Sequence, residues 1–162
     1  MDDLAAESDK YFMECALKEA LKAFSAGEVP VGAVIVDAKG QIVASACNEK
    51  ERLHDPTAHA ELTAIRMAAA RSAEGWRLSG MTLYVTKEPC IMCAGAIVNA
   101  RLSRVVYGCA DVKGGAAGSL FALCTDERLN HRAEVTRGVL EGECAGLLKD
   151  FFAELRRGCR AV

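Results

Sequence analysis

The sequence predicts an α/β fold, a three-layer α/β/α sandwich around a mixed central sheet of about five strands. Three observations support this prediction. Amphipathic helical patterns open and close the chain, an early pair of β-branched runs forms a hairpin, and strand and helix patterns then alternate. This order of elements predicts a mixed sheet with helices on both of its faces.

The first third of the chain is predicted to hold one helix and the hairpin. The apolar positions of residues 8–24 follow helical spacing, with Ser8 as the N-cap and Gly27 as the stop. Residues 31–36 are rich in β-branched side chains and predict a strand. The Lys39-Gly40 turn then leads into its partner at 41–47.

Strands and helices alternate through the rest of the chain. Loops are predicted at 48–57 and at 111–119, where three glycines fall close together. The predicted elements are a helix at 58–73, a strand at 82–86, a helix at 90–100, a strand at 104–107, a short helix at 119–124, a strand at 134–136 and a long amphipathic helix at 141–157.

Length and composition predict one domain and exclude several function classes. The 162 residues fit a single domain over residues 1–162. The net charge of -2 disfavours a protein that depends on non-specific phosphate contacts, so a nucleic-acid partner would need a local patch or a shape match. The acidic start has no apolar segment and the apolar stretch at 90–98 is too short for a bilayer. We therefore expect a cytoplasmic protein with no membrane partner.

The cysteines are expected to be reduced thiols, although their number, eight, is even. A cytosolic compartment keeps thiols reduced. Cys15, Cys47, Cys109 and Cys144 lie inside apolar patterns and are expected to behave as small buried hydrophobes. Cys90 and Cys93 alone form a close pair.

A His-Ala-Glu motif at 59–61 and a Pro-Cys-Ile-Met-Cys motif at 89–93 predict a catalytic zinc site. Cys90 and Cys93 are three residues apart at a predicted helix start, which directs both sulfurs to one side and favours thiolates. His59 falls at another helix start. These three ligands leave a fourth position on Zn²⁺ for water. Glu61 is then available to move protons between that water and a substrate.

The Cys-x-x-Cys pair by itself also fits a redox pair or half of a structural zinc site. However, the sequence has no second such pair and no His-x3-His to complete a structural site, and a redox role gives no reason for the His-Ala-Glu motif. His54 is another histidine near His59 in the sequence, but its position in a predicted loop argues against a role as a metal ligand. The two motifs together therefore favour the catalytic site.

With these motifs, the chain resembles the bacterial tRNA-specific adenosine deaminases of the cytidine and deoxycytidylate deaminase superfamily. The resemblance covers nearly the whole chain, and its segments are 28–33, Asn48, 55–61, 82–86, 88–96, 105–108, 115–119, 130–131 and 151–152. It implies a cytidine deaminase-like fold, one Zn²⁺ per subunit and hydrolytic deamination of adenosine to inosine at the tRNA wobble position. It also implies two partners, the tRNA anticodon stem-loop and a second copy in a homodimer.

The resemblance further implies substrate-binding roles near the metal. Asn48 would hydrogen-bond the flipped base, because an amide both donates and accepts, and Val31 would form an apolar wall of the pocket. Asp111 and Lys113 match a loop that approaches the RNA backbone. The structural alternatives are that Asn48 only makes a local turn, that Val31 belongs to the strand core, and that Asp111 and Lys113 form a solvated loop pair.

More distant segments are also implied in RNA binding. Asn130 and His131 match a segment near the anticodon loop, and Phe151 and Phe152 would stack in the RNA groove, unless they form the apolar stripe of the last helix. A modest basic patch that could contact phosphates comprises Lys149, Arg156, Arg157 and Arg160.

Two residues depart from the family pattern, and other functions stay open. Lys87 stands where relatives generally have an apolar residue, and Gly114 where they often have Thr; both lie near the expected substrate mouth and bear on the details of RNA contact. An alternative function is a deaminase of free nucleobases or nucleosides, of guanine or cytosine type, with the same zinc site. A non-catalytic RNA-binding subunit and a redox protein are further alternatives.

Overall fold

The computed structural model describes residues 2–159, with side chains from residue 5 to residue 158. The strands are β1 (Gly32–Val36), β2 (Ile42–Cys47), β3 (Thr82–Lys87), β4 (Arg104–Cys109) and β5 (Glu134–Arg137). The helices are α1 (Asp2–Ser25), α2 (Lys50–Leu53), α3 (Ala60–Arg71), α4 (Ile91–Asn99) and α5 (Glu141–Cys159), and a 3-10 helix covers Leu123–Thr125.

The five strands form one mixed sheet in the order β2-β1-β3-β4-β5. β1 pairs antiparallel with both β2 and β3, whereas β3, β4 and β5 pair in parallel. Every strand except β1 therefore runs in the same direction. Their carboxyl ends meet at one edge, which is where open α/β sheets bind ligands.

Helices cover both faces of the sheet, which confirms the three-layer prediction. Alternate strand residues such as Ile35 and Leu83 belong to one apolar cluster with Ala64 of α3 and Ile97 of α4. Their neighbours in sequence face the opposite layer, where α1 and α5 contribute apolar side chains such as Met13 and Cys144. The two-residue period of a strand thus separates two cores, one for each helix layer.

The structure differs from the predicted elements in three places. Ser8 lies inside α1, so its prediction as the N-cap was wrong, because the helix already begins at Asp2. The loop predicted at 48–57 contains the short α2. Residues 119–124 form no α-helix: Ala117 and Ala122 bridge across this segment, and the 3-10 helix begins only at Leu123.

The cysteines whose side chains are described are all free thiols. Cys109 and Cys144 are buried as expected, whereas Cys15 and Cys47 are only partly buried. Within residues 2–159, no helix has the length and apolar character needed to cross a bilayer.

An ion pair connects α1 to β3 and β4 at the end of the sheet opposite the carboxyl ends of β2, β3, β4 and β5. Asp9 is nearly buried and accepts hydrogen bonds from Arg104 Nη1 (2.8 Å), Arg104 Nη2 (2.7 Å) and the Tyr84 hydroxyl (2.8 Å). Burial alone would raise the pKa of Asp9, but the hydrogen bonds from Arg104 and Tyr84 hold it below its ordinary value of 3.8. The carboxylate therefore stabilises the fold above that value, and this contribution is lost as the pH falls through the lower pKa of the folded state.

We expect Asp9→Asn to lower the free energy of unfolding by about 2 kcal/mol at neutral pH, because Arg104 keeps its charge without the carboxylate. The difference from wild type should shrink below about pH 4, where the wild-type carboxyl also becomes protonated. Urea unfolding at a series of pH values measures both effects. Asp150→Asn, at an exposed position of α5, is the control. A difference that stays constant toward low pH would contradict the assignment.

Candidate metal centre and active site

The three predicted metal ligands lie together at the amino-terminal ends of α3 and α4. His59 is the N-cap residue of α3 and Cys90 is the N-cap residue of α4, both with extended backbone, and Cys93 lies in the first turn of α4. The His59 Nδ1 atom lies 3.7 Å from the Cys90 Sγ and 3.5 Å from the Cys93 Sγ. All three ligand atoms fall within 4.8 Å of one another.

These distances fit a tetrahedral zinc ion. Zinc binds imidazole nitrogen at about 2.0–2.1 Å and thiolate sulfur at about 2.3 Å, which at a tetrahedral angle separates nitrogen from sulfur by about 3.6 Å. The separations between the His59 nitrogen and the two sulfurs are 3.7 Å and 3.5 Å. A set of two sulfurs and one nitrogen suits Zn²⁺ and leaves one coordination position for another group.

Cys90 and Cys93 are coupled to each other and to His59 by hydrogen bonds. The hydrogen bond from Cys93, with a further contribution from His59, lowers the pKa of Cys90 to about 3. The same hydrogen bond to Cys90 raises the pKa of Cys93, and the hydrogen bond with Cys90 also raises the pKa of His59. Zinc needs both cysteines as thiolates, so metal binding releases the protons that they carry as thiols.

Glu61 is the buried carboxyl group beside this cluster. It lies in the first turn of α3 with a relative exposure of 3% and lines the same pocket as His59 and Cys90. Burial raises the pKa of Glu61. Because it is not one of the three clustered ligands, it is free to act on a molecule that enters the pocket.

The pocket above the cluster has a volume of about 260 Å³, at the small end of ligand sites and suited to a single heterocyclic base. It brings together six residues that the sequence analysis singled out as site residues: Val31, Asn48, His59, Glu61, Cys90 and Phe152. Lys50, Lys87 and Glu88 also line it. Lys50 was not predicted, Lys87 was predicted to lie near the substrate mouth only as a departure from the family pattern, and Glu88 belonged only to the resembling segment 88–96.

A buried carboxylate on one side of the pocket holds Asn48 in position. Glu28 has a relative exposure of 2% and accepts hydrogen bonds from the backbone amides of Glu51 and Arg52 at the start of α2. The Asn48 side-chain nitrogen lies 3.4 Å from the Glu28 carboxylate and 3.2 Å from the Val29 carbonyl oxygen. These contacts fix the amide at the pocket wall and explain why a short helix forms in the predicted loop.

A second buried carboxylate, Glu88, holds the glycine-rich loop on the other side. It accepts hydrogen bonds from the amides of Asp111 (2.9 Å), Ala117 (3.1 Å) and Ser119 (2.9 Å), and from the Ser119 hydroxyl. Burial opposes ionisation, but these hydrogen bonds, that of the Ser119 hydroxyl above all, hold the pKa of Glu88 below its ordinary value. Gly115 packs so closely on the Glu88 carboxylate that a Cβ would collide with it. The Ser119 contacts also explain why residues 119–124 do not form the predicted helix.

The remaining candidate residues lie outside the pocket lining. Asp111 forms an ion pair with Lys87, which lines the pocket, whereas Lys113 is exposed to solvent. Asn130 accepts a hydrogen bond from Arg101, and His131 Nε2 lies 2.7 Å from the Leu102 carbonyl oxygen, next to the end of α4.

At the carboxyl end, Phe151 is buried and its ring centroid lies 5.6 Å from that of Phe24, so it packs in the core while Phe152 reaches the pocket. Lys149, Arg156 and Arg157 are exposed on α5. Arg160 of the predicted basic patch lies outside the described residues.

Comparison with known proteins identifies the family of this site. Residues 6–109 match the family model for the cytidine and deoxycytidylate deaminase zinc-binding region. The chain belongs to the cytidine and deoxycytidylate deaminase family. The zinc of this family and the His59, Cys90 and Cys93 cluster fit one zinc per subunit.

Relatives within this deaminase family match almost the whole chain. A tRNA-specific adenosine deaminase from Bacillus subtilis (strain 168) is 51% identical over 154 residues, which cover 95% of this chain and 94% of the relative. A solved tRNA:A34 deaminase, studied for A-to-I editing at the wobble position of transfer RNA, aligns with a TM-score of 0.80 and 44% identity over 85% of this chain and 98% of that chain. A guanine deaminase from Bacillus subtilis aligns with a TM-score of 0.59 and 40% identity over 67% of this chain and 69% of that chain.

We expect Cys93→Ala and His59→Ala to retain less than about a tenth of the zinc that the wild type binds, because each removes one of three ligands. Added zinc should raise the Tm of the wild type but not of these variants, since the ion stabilises the state that binds it. Cys109→Ala is the control, because Cys109 is a buried cysteine outside the cluster. Full zinc content in Cys93→Ala would show that the metal lies elsewhere.

Proposed function

We propose that this deaminase converts adenosine to inosine at the wobble position of tRNA. The proposal rests on one observation. The buried carboxyl group of Glu61 lies beside the three-ligand cluster, in a pocket that is the size of a single nucleobase. The near full-length similarity to relatives described as tRNA-specific adenosine deaminases supports adenosine in tRNA as the substrate. An anticodon loop is single-stranded, so its bases are extruded at low cost.

The reaction adds water across the N1=C6 bond of adenine and then releases the C6 amino group as ammonia. A zinc ion held by His59, Cys90 and Cys93 would act as a Lewis acid and lower the pKa of the attacking water from its high bulk value toward about 7. Glu61 takes a proton from the attacking water and delivers it to N1 of the base while the new C6–O bond forms. Glu61 then moves the remaining proton from the new C6 hydroxyl group to the amino group, the C6–N6 bond breaks, and ammonia and inosine result.

The pocket residues position the base for this attack. The Asn48 amide, held by Glu28 and Val29, is proposed to hydrogen-bond the ring, and Val31 is proposed to contact its apolar face. Phe152, at the exposed rim, is suited to stacking on a neighbouring base.

The proposal extends to more distant residues and to the whole chain. Asp111, Lys113, Asn130 and His131 are proposed to contact the anticodon stem-loop around the pocket. We also propose that residues 1–162 act as a single deaminase domain in the cytoplasm, where tRNA is modified.

We expect Glu61→Gln to keep its zinc and its fold but to lose about 10²–10⁴-fold in kcat, because the amide cannot move the proton. The assay measures ammonia released from an anticodon stem-loop with adenosine at the wobble position. Glu14→Gln, exposed on α1, is the matched control. Normal turnover by Glu61→Gln would remove Glu61 from the mechanism. If the wild type released ammonia from free guanine or cytidine but not from the stem-loop, the free-base alternative would replace the tRNA proposal.

We also propose that the protein is a homodimer that associates through the outer surfaces of α3 and α4. A shallow apolar groove there is lined by Leu62, Ile65, Trp76, Ala96 and other residues. Trp76 has a relative exposure of 53%, which is high for so large an apolar side chain. Burying this surface against a second copy would remove it from water.

We expect Trp76→Glu to shift the protein toward monomer by at least about tenfold in dimer dissociation constant, because it places a charge in the apolar groove. Sedimentation equilibrium measures the change. Leu21→Glu, at a similarly exposed apolar position of α1 (51% against 53%), is the control. A wild type that sediments as a monomer at micromolar concentration would overturn the dimer proposal.

A further inference from the structure

Two lysines at the pocket mouth supply positive charge in a chain whose net charge is -2. Lys50 and Lys87 both line the pocket that contains Glu61 and His59. Their side chains are partly exposed, at 43% for Lys50 and 33% for Lys87, so both ammonium groups can meet a ligand from solvent. Glu88, which also lines the pocket, is occupied by backbone amides and by Ser119.

The sheet topology attaches these lysines near the ends of two different strands. Lys87 is the last residue of β3, and Lys50 follows the carboxyl end of β2 as the first residue of α2. β1 lies between these two strands in the sheet. With neighbouring strands about 4.8 Å apart, the carboxyl ends of β2 and β3 are separated by about 10 Å, and both lysines line the pocket at these ends.

Both lysines have carboxylate partners that a phosphate can replace. The Lys87 Nζ lies 2.6 Å from Asp111 Oδ2, and the Lys50 Nζ lies 3.8 Å from Glu51 Oε1. The Lys50–Glu51 pair is exposed and contributes little to stability, so exchanging its partner costs little. The Lys87–Asp111 pair is less exposed, at 33% and 17%, so Lys87 is expected to exchange only part of this contact for a phosphate. Asp111 would stay in place after the exchange, because its Oδ1 accepts hydrogen bonds from the amides of Lys113 and Gly114.

We propose that Lys50 and Lys87 bind the two phosphates that flank the nucleotide entering the pocket. This inference rests on the proposed function, in which the substrate is a nucleotide within an RNA chain. A base that enters the pocket brings its ribose and both neighbouring phosphates to the mouth. Two cations that extend to that mouth from the ends of different strands match these two anions and favour an RNA loop over a free nucleoside, which has no phosphate.

The first test is the salt dependence of stem-loop binding by Lys50→Met, Lys87→Met and the double variant. Each lost phosphate contact should make the slope of log affinity against log salt shallower by about 0.7, and the double variant should lose about 1.4. Lys87→Arg should keep the wild-type slope because it keeps the charge. Lys10→Met is the control, since Lys10 is exposed on α1 beside Asp9, at the opposite end of the sheet. Slopes equal to that of Lys10→Met would overturn the proposal.

The second test replaces single phosphates of the stem-loop by uncharged methylphosphonates on either side of the wobble adenosine. Each replacement should weaken wild-type binding several-fold but should have little further effect on the variant that lacks the corresponding lysine. Equal effects in wild type and variants would overturn the pairing of lysine with phosphate. Ammonia release by the wild type is measured in parallel. Lysine-dependent binding without ammonia release would refute the proposed function but support the phosphate contacts. Ammonia release with unchanged slopes would support the proposed function but refute the phosphate contacts.

Discussion

The active site depends on the meeting of two helix N-termini, those of α3 and α4, at the edge where the parallel strands end. His59 and Cys90 occupy N-cap positions, so their side chains project beyond the helices, and Cys93 follows one turn later on the same side. A helix N-terminus favours thiolates, which zinc requires. Because His59 caps α3, Glu61 lies in the first turn of that helix and is buried beside the cluster. If the ligands of either helix were moved by one position in its sequence, they would turn by about 100° around the helix and the set would not converge.

Two buried carboxylates surround this centre and make its pocket rigid. Glu28 fixes Asn48 and the start of α2 on one side, and Glu88 fixes the loop from Asp111 to Ser119 on the other. Both side chains are about 2% exposed and are satisfied by backbone amides or uncharged side chains rather than by cations. These two carboxylates therefore do not neutralise the lysines at the pocket mouth, where Lys50 and Lys87 pair instead with Glu51 and Asp111, although the chain as a whole is slightly acidic.

Periodicity in the sequence predicted the layers of the fold, and residue spacing predicted the metal cluster. The five strands fall within about two residues of their predicted bounds, because runs such as Val34-Ile35-Val36 are buried on both faces and admit few alternatives. Local signals failed where distant side chains determine the backbone. Glu28 induces α2 from 23 and 24 residues away, and Glu88 holds Ser119 in a non-helical turn from 31 residues away. The lysines of the mouth were not predicted as a pair because only the sheet order brings the ends of β2 and β3 to one pocket.

Deamination at this site requires a zinc ion held by three side chains, with its fourth position open to solvent and substrate. X-ray absorption spectroscopy of the zinc-loaded protein at the zinc edge tests this directly. The predicted result is two sulfurs at about 2.3 Å, with one imidazole nitrogen and one further light atom at about 2.0–2.1 Å that changes when a base analogue binds. A zinc ion with four protein ligands, unaffected by the analogue, would contradict the account and would assign His59, Cys90 and Cys93 to a structural site.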